Sequence, residues 1–294
     1  MIATFALILA AALALPDPTT QAPVDPNAEV PAACRMDQAG NVDFQACADT
    51  APRGSMPRAL ALINLASQAY LEGDYSRAVT LYDEAIPPGQ TVTSDVVFHT
   101  FRADTYHHVG RTEEARADAA LAWRILQGEI SPSGDPADDL PVTDQLRFEV
   151  LIRILPILKD GDPAAFTAAR TLFMGLPAED GIALTNRAGL LARLGDYPAA
   201  IADSERALAL TPDEPGLKNN HCYTLFQAGR AAEGLPYCEA AVAALPAIAP
   251  IRHSYAEVLA ALGRCDEADA QMAEARRLDP SGVAYARSLT CTPA

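Results

Sequence analysis

Glycine residues recur along this chain at a regular spacing. Four of them keep an interval of 34 residues, and two more lie upstream at intervals of 37 and 51 residues. A segment with helical periodicity precedes each glycine, and a second such segment follows it. A fixed period of this length predicts a linear stack of helix-turn-helix repeats, each packing on its neighbours. The glycines are Gly73, Gly110, Gly161, Gly195, Gly229 and Gly263.

Small residues accompany these glycines at constant offsets. Each glycine is expected to end the first helix of its repeat in a left-handed conformation. Proline 17 residues later, as at Pro212, Pro246 and Pro280, is expected to end the second helix. The small residues mark the faces on which helix backbones approach closely. They are Ala66, Ala103, Ala188, Cys222 and Ala256 before the glycine, Ala78, Ala115, Ala200, Gly234 and Ala268 after it, and Ala85, Ala122, Ala207, Ala241 and Ala275 one stage further on.

This pattern resembles the tetratricopeptide repeat (TPR) family. The resemblance rests on the 34-residue step, the small residues, and the Gly-Asp-Tyr turns in "YLEGDYSRAVTLYDEAI" and "ARLGDYPAAIADSERALALTP", and it covers about residues 59 to 280. It weakens around Gly161, where Ile154 and Phe166 replace small residues, so this repeat is expected to pack at altered angles or to form a joint. The resemblance implies an all-α protein, a right-handed α-solenoid of about six TPR-like helix-turn-helix units with a C-terminal capping helix.

The chain begins with an uncharged, largely apolar run from Ile2 to Leu15. Its 14 residues are too few to span a membrane, and Ala12-Leu13-Ala14 has the form of a signal-peptidase site. We interpret the run as a signal peptide that leaves no membrane span in the mature chain. The absence of Lys or Arg near Met1 keeps a short N-terminal anchor or a buried helix open as alternatives.

The segments that follow from these patterns divide the chain as follows. Residues 1–14 are the signal peptide, 15–54 a Pro/Ala-rich and poorly ordered leader, 55–127 repeats one and two, 128–144 a loop insertion, 145–280 repeats three to six, and 281–294 the capping helix and tail.

The formal net charge of the chain is -16, and its apolar content is mainly alanine and leucine. Alanine and leucine favour helix over sheet. An acidic surface repels phosphate backbones and anionic lipid headgroups. We therefore expect neither nucleic acid nor a membrane surface as a partner.

Six cysteines in an exported chain are expected to pair, and their number alone allows fifteen connectivities. Cys222 and Cys238 lie eight residues on either side of Arg230 in a predicted hairpin, which places them at one level on two antiparallel helices. The alternative for Cys222 is a small buried thiol in the core. The last cysteine is expected to return to the turn of the final repeat, and the first two to close a loop in the leader. The predicted pairs are Cys34–Cys47, Cys222–Cys238 and Cys265–Cys291.

Motifs for catalysis or metal binding are missing. The sequence has no Cys-x-x-Cys, no Gly-rich phosphate loop, no His-Glu-x-x-His and no Gly-x-Ser-x-Gly. His107 and His108 are adjacent and therefore diverge by about 100° on a helix, which is poor geometry for sharing a metal. His221 neighbours Cys222 but points to another side of its helix. We expect no enzyme activity, no cofactor and no metal.

The resemblance also implies that the first helix of each repeat lines a groove for an extended peptide or a partner helix. Asn219 and Gln227 would hydrogen-bond a peptide backbone there, while Tyr223 and Phe226 would anchor it; the alternative is that Phe226 and Tyr70 merely pack on the next repeat. Family members that clamp a terminal carboxylate use Lys, Asn and Arg, and this groove departs from that pattern. The expected lining residues are Ile63, Ser67, Tyr70, Thr100, Asp104, His107, Thr185, Gly189, Arg193, Asn219, Tyr223, Phe226, Gln227, His253 and Glu257.

The favoured function is a non-catalytic adaptor of the bacterial cell envelope, exported to the periplasm or cell surface, that holds a partner protein or peptide in the groove. The bacterial assignment rests on the signal-like start and on the habit of the family. Two alternatives remain at this point: a protein that binds a small molecule or cell-wall fragment in the same groove, and an enzyme with an unrecognised motif.

The cysteine pattern predicts a thiol count. Mature protein recovered from an oxidising compartment and unfolded in denaturant is expected to show no free thiol before reduction and six after it. Ellman titration with and without reductant measures both numbers. Six reactive thiols before reduction would refute the disulfides and weaken the case for export.

Overall fold

The computed structural model describes residues 30–37, 40–86, 95–131 and 142–292. The predicted signal peptide and most of the predicted loop insertion lie outside these ranges.

The described ranges are all-α, with thirteen α-helices, two short 3-10 helices and no strand. They confirm the predicted α-solenoid class. The helices are α1 (Phe44–Thr50), α2 (Met56–Leu71), α3 (Tyr75–Ala85), α4 (Val96–His108), α5 (Thr112–Leu126), α6 (Asp144–Gly161), α7 (Pro163–Gly175), α8 (Gly181–Arg193), α9 (Tyr197–Leu210), α10 (Pro215–Gln227), α11 (Ala231–Ala244), α12 (Ala249–Ala261) and α13 (Cys265–Leu278).

The helices from α2 to α13 form six consecutive hairpins, as the repeat predicts. In five of them the repeat glycine has a φ between 74° and 80°, a left-handed conformation that glycine adopts at little cost. The third hairpin is built differently. Asp162 ends α6 and also caps α7, accepting hydrogen bonds from Ala164 and Ala165 N–H, so the glycine before it needs no positive φ.

The predicted small residues lie on the buried faces of the hairpins. Ala66, Ala78 and Ala256 have no exposed surface. The tightest contact is at Gly234 on α11, where an added Cβ would lie 2.8 Å from the carbonyl oxygen of Cys222 on α10. No side chain larger than hydrogen fits between these two helices at that level.

Two segments differ from the sequence prediction. The predicted leader contains helix α1, which buries Cys47 and Ala48 against Leu62 and Leu65 of α2. Order therefore begins well before the expected Ser55. Short-range periodicity misses this helix because it has only seven residues and is held by a disulfide and one apolar contact.

At the other end, the predicted capping helix is only a 3-10 turn, Val283–Ala286. Arg276 explains the difference, because its Nε donates to the carbonyl oxygen of Tyr285 at 2.6 Å and its Nη2 to that of Arg287 at 3.1 Å. Carbonyl groups held this way are not available to continue a helix. The ring of Tyr285 still covers the end of the stack, packing with Ala256 and Met272.

The chain forms two compact units, Met1–Leu176 and Pro177–Ala294. The first contains α1 to α7, and the second contains α8 to α13. The third hairpin therefore belongs with the first two, whereas the sequence grouped it with the last three.

All six cysteines are paired as predicted. The disulfides are Cys34–Cys47, Cys222–Cys238 and Cys265–Cys291. The second joins α10 to α11, and the third ties the C-terminal segment to the start of α13. Each bridge restricts the unfolded chain and stabilises the fold by about 2–4 kcal/mol.

Two hairpins contain a buried ion pair that the sequence analysis missed. Arg102 on α4 donates to both carboxylate oxygens of Asp118 on α5 at 2.6 and 2.8 Å, and Arg187 pairs with Asp203 at the same two distances. In both hairpins the arginine lies eight residues before the repeat glycine and the aspartate eight residues after it. The repeat offset was the signal that would have revealed the pairs.

The contact at Gly234 predicts opposite effects for two glycine substitutions in helices. Gly234→Ala is expected to destabilise the protein by about 1–3 kcal/mol, because the new methyl group meets the backbone of α10. Gly189→Ala is the matched control: nothing lies within 4 Å of an added Cβ there, so better helix propensity should stabilise by up to about 1 kcal/mol. Urea unfolding measures both changes. Equal changes for the two variants would contradict the close approach of α10 and α11.

The buried pair of Asp118 predicts a pH-dependent loss of stability. Burial would raise the pKa of Asp118, but hydrogen bonds from His99 and Arg102 outweigh it and hold that pKa below its usual value. The pair therefore stabilises the fold above about pH 4, and this contribution is lost as the pH falls through the lower folded-state pKa.

Asp118→Asn is expected to cost about 3–5 kcal/mol at pH 7, because it leaves the Arg102 guanidinium buried without its counter-charge. The difference from the natural chain should shrink below about pH 4. Urea unfolding from pH 3 to pH 8 measures it, with Glu113→Gln on the exposed face of the same helix as the control. A cost that stays constant over this pH range would argue against the ion pair as its source.

Candidate binding site

The second compact unit contains a pocket of about 270 Å³ on the side formed by the first helices of its hairpins. Helices α8, α10 and α12 supply nine of the ten lining residues, and α9 supplies one. No formally charged side chain lines it. The lining residues are Thr185, Ala188, Gly189, Ser204, Asn219, Asn220, Tyr223, Thr224, Gln227 and Ser254.

The pocket brings together five of the residues that the sequence placed in the groove of these hairpins. They come from equivalent positions of successive repeats, so that Thr185 corresponds to Asn219 and Gly189 to Tyr223, each 34 residues apart. The side chain of a residue at Gly189 would project into open space. The five residues are Thr185, Gly189, Asn219, Tyr223 and Gln227.

Four other expected groove residues of this unit do not line the pocket. Phe226 packs in the core around Cys222 and Cys238, which agrees with the alternative interpretation for that residue. His253 faces Glu257 across 3.5 Å and lies against the C-terminal turn. Arg193 is exposed at the end of α8.

Three hydroxyl groups of the pocket are already hydrogen-bonded inside the protein. Thr224 donates to the carbonyl oxygen of Asn220 at 2.8 Å, and Ser254 donates to that of Pro250 at 3.1 Å. Ser204 is bonded to the backbone of its own helix and to a histidine ring. These groups shape the wall of the pocket and have limited capacity for a ligand.

The remaining polar side chains of the pocket are uncommitted. Asn219 Oδ1 is buried without a hydrogen-bond partner, and Asn219 Nδ2 has only a long contact of 3.4 Å to Asn220. Thr185, Tyr223 and Gln227 make no side-chain hydrogen bond to any described part of the chain. Burial, aided by the negative charge of Glu257, raises the pKa of Tyr223, so its hydroxyl keeps its proton at neutral pH.

A serine–histidine contact closes the bottom of the pocket. Ser204 Oγ lies 2.8 Å from His221 Nδ1, and the ring of His221 packs edge-on against Tyr237. Burial lowers the pKa of His221, so the ring is neutral at pH 7. A hydrolytic triad also needs a carboxylate on the histidine, and none is hydrogen-bonded to His221 among the described residues. Sequence analysis missed this pair because its members lie on adjacent hairpins.

The corresponding face of the first compact unit is occupied by its own side chains. Ile63, Thr100 and Asp104 are buried. Tyr70 donates a hydrogen bond to the carboxylate of Asp104, and burial together with that carboxylate raises the pKa of Tyr70. Ser67 donates to the carbonyl oxygen of Ile63 at 2.9 Å.

Helix α6 also contributes to this face. Arg153 pairs with Glu149 at 2.9 Å, and its guanidinium carbon lies 4.6 Å from the ring centroid of Phe101. His107 is half-buried beside His108, whose ring stacks on Tyr75 at 4.1 Å between centroids. Apart from the unpartnered Nε of Arg153, the polar groups of this face are paired with one another.

The described ranges contain neither a metal-binding cluster nor a membrane span. No three His, Cys, Asp or Glu side chains are grouped there so that they could hold an ion. None of the helices in those ranges has the length and apolarity needed to cross a membrane.

Comparison with known proteins places the fold but not the sequence. No protein-family model and no curated protein matches this sequence. A tetratricopeptide repeat protein from Parabacteroides merdae ATCC 43184 has a similar structure, with a TM-score of 0.57 and 15% identity over 83% of this chain and 87% of that chain. The similarity establishes a TPR-type fold.

Two further solved structures align with lower scores. PilW, a widely conserved type IV pilus biogenesis factor, aligns with a TM-score of 0.47 and 18% identity over 78% of this chain and 96% of that chain. YrrB, a TPR protein with an unusual peptide-binding site, aligns with a TM-score of 0.34 and 15% identity over 83% of this chain and 96% of that chain.

Proposed function

We propose that this TPR-like protein is a non-catalytic interaction scaffold that binds an extended segment of a partner protein against α8, α10 and α12. The observation that carries the proposal is the pocket of the second compact unit, whose uncommitted side chains come from equivalent positions of successive hairpins. A surface that has left its hydrogen-bonding groups unpaired gains more from a ligand than one whose groups are already paired.

The arrangement suits a linear ligand. Asn219, Tyr223 and Gln227 are four residues apart on α10 and therefore form one row about 12 Å long. Thr185 and Gly189 on α8 continue the lining beside that row. An extended peptide offers a donor and an acceptor at every residue, which matches a row of amide and hydroxyl groups.

The pocket does not suit a ligand that presents a terminal carboxylate. No lysine or arginine lines it, and the charge of the whole chain is -16. A carboxylate there would lose hydration without gaining a cation. We propose an internal segment of the partner as the ligand.

We further propose that the protein acts outside the cytoplasm, in the cell envelope. Three disulfides, with no free cysteine among the described residues, favour an oxidising compartment. The apolar start of the chain and its small-x-small triplet support export.

A displayed peptide library tests the binding function and requires no identified partner. The oxidised protein is immobilised, and random dodecamers on phage are selected against it. Clones are then counter-screened against Gly189→Leu, whose side chain would fill the pocket. Selected clones are expected to bind Gly189→Leu at least about tenfold more weakly, because truncating access to a central anchor costs more than about 1 kcal/mol.

Gly189→Ala is the matched control, since it adds one methyl group at the same helical position and should retain most of the binding. Clones that bind all three proteins equally would locate the peptide site elsewhere. Failure to select any clone, together with pocket-dependent binding of the disaccharide N,N′-diacetylchitobiose, would favour the alternative of a cell-wall-fragment binder.

A further inference from the structure

We infer that the partner segment places an uncharged carboxamide side chain, asparagine or glutamine, in the pocket against Asn219. The inference rests on the proposed function and specifies the chemistry of its ligand. Three features support it: the unpaired amide of Asn219, the neutrality of the wall and the volume of the pocket.

Asn219 lacks the hydrogen-bond donor that its side chain requires. Its Oδ1 is buried and unpartnered, which is an unfavourable state for an amide oxygen. Turning the amide towards the pocket breaks only the long 3.4 Å contact with Asn220. A ligand that donates to Oδ1 therefore removes an existing cost and displaces no established bond.

A second carboxamide is the group that satisfies Asn219 most completely. It donates N–H to Oδ1 and accepts N–H from Nδ2, so both halves of each amide are paired. Thr185 and Gln227, which also have no internal partner, offer further acceptors and donors for the remaining N–H and lone pair. A hydroxyl side chain would pair only one of the two groups of Asn219.

Charged and apolar side chains fit this wall less well. A carboxylate meets no cation among the lining residues, and an ammonium group meets no carboxylate, because Glu257 lies outside the lining and faces His253. Either charge would be desolvated without compensation. A leucine would fill space but leave Asn219 Oδ1 unpaired.

The volume of the pocket agrees with a single side chain. At about 270 Å³ it is below the roughly 300–1,000 Å³ that holds a drug-sized ligand or cofactor. One asparagine or glutamine with its flanking backbone therefore occupies the pocket, and the rest of the segment lies along α10.

The selected peptides provide the test. Clones that depend on Gly189 are expected to share asparagine or glutamine at one position. In a synthetic peptide from the strongest clone, replacing that residue with Asp or with Leu is expected to weaken binding about tenfold, as measured by fluorescence anisotropy. Asn219→Ala should remove the preference, binding the original and Leu peptides within about twofold of each other. Asn220→Ala, its exposed neighbour, should keep the preference, and circular dichroism melting checks that both variants fold.

The outcomes separate this inference from the function on which it rests. If no clone depends on Gly189, the proposed groove fails. If such clones carry a charged or apolar residue at the shared position, or if the Leu peptide binds the natural chain within twofold of the original, the carboxamide inference is overturned and the groove stands. The peptide substitutions leave the protein unchanged, so this arm does not depend on the stability of any variant.

Discussion

The close approach of the two helices in each hairpin is the constraint on which the rest of the structure depends. Alanine, glycine or cysteine at the contact positions leaves no side chain long enough to hold the backbones apart, and at Gly234 even a methyl group would collide with α10. Helices held at this distance pack with a fixed rotation about their axes. Side chains at one repeat position therefore reach the same face in successive hairpins, which is how Thr185 and Asn219 come to line one pocket.

The two compact units use this common frame differently. On the inner helices of the first unit, Tyr70 is bonded to Asp104 and Arg153 to Glu149, so that side chains from α2, α4 and α6 are largely paired with one another. The second unit has a glycine at the position of Asp104, Gly189, and its neighbours remain unpaired. A glycine for aspartate exchange thus opens space where the first unit has a closed polar contact. The difference in hydrogen bonding makes the second unit the better binding surface.

The sequence predicts the features that depend on the repeat and misses those that depend on contacts between particular side chains. The six hairpins, the buried small residues and the three disulfides follow from glycine spacing and from the level of each cysteine on its helix. Helix α1 and the short C-terminal turn do not, because one is held by Cys34–Cys47 and the other by Arg276. Repeat offsets placed five groove residues in the pocket but could not show that Asn219 Oδ1 is unpartnered, since that depends on rotamers.

Helix α10 is the element most strongly fixed and also the one that contributes most to the pocket. It supplies five of the ten lining residues, and it is tied to α11 by the Cys222–Cys238 disulfide and by the contact at Gly234. Because the helix cannot shift, a peptide that binds there pays little to order the backbone beneath it. The freedom that remains lies in the side chains of Asn219 and Gln227, which can turn towards a ligand while their Cα positions stay in place. Rigid placement with adaptable amides allows selection of one chemical group without selection of one partner sequence.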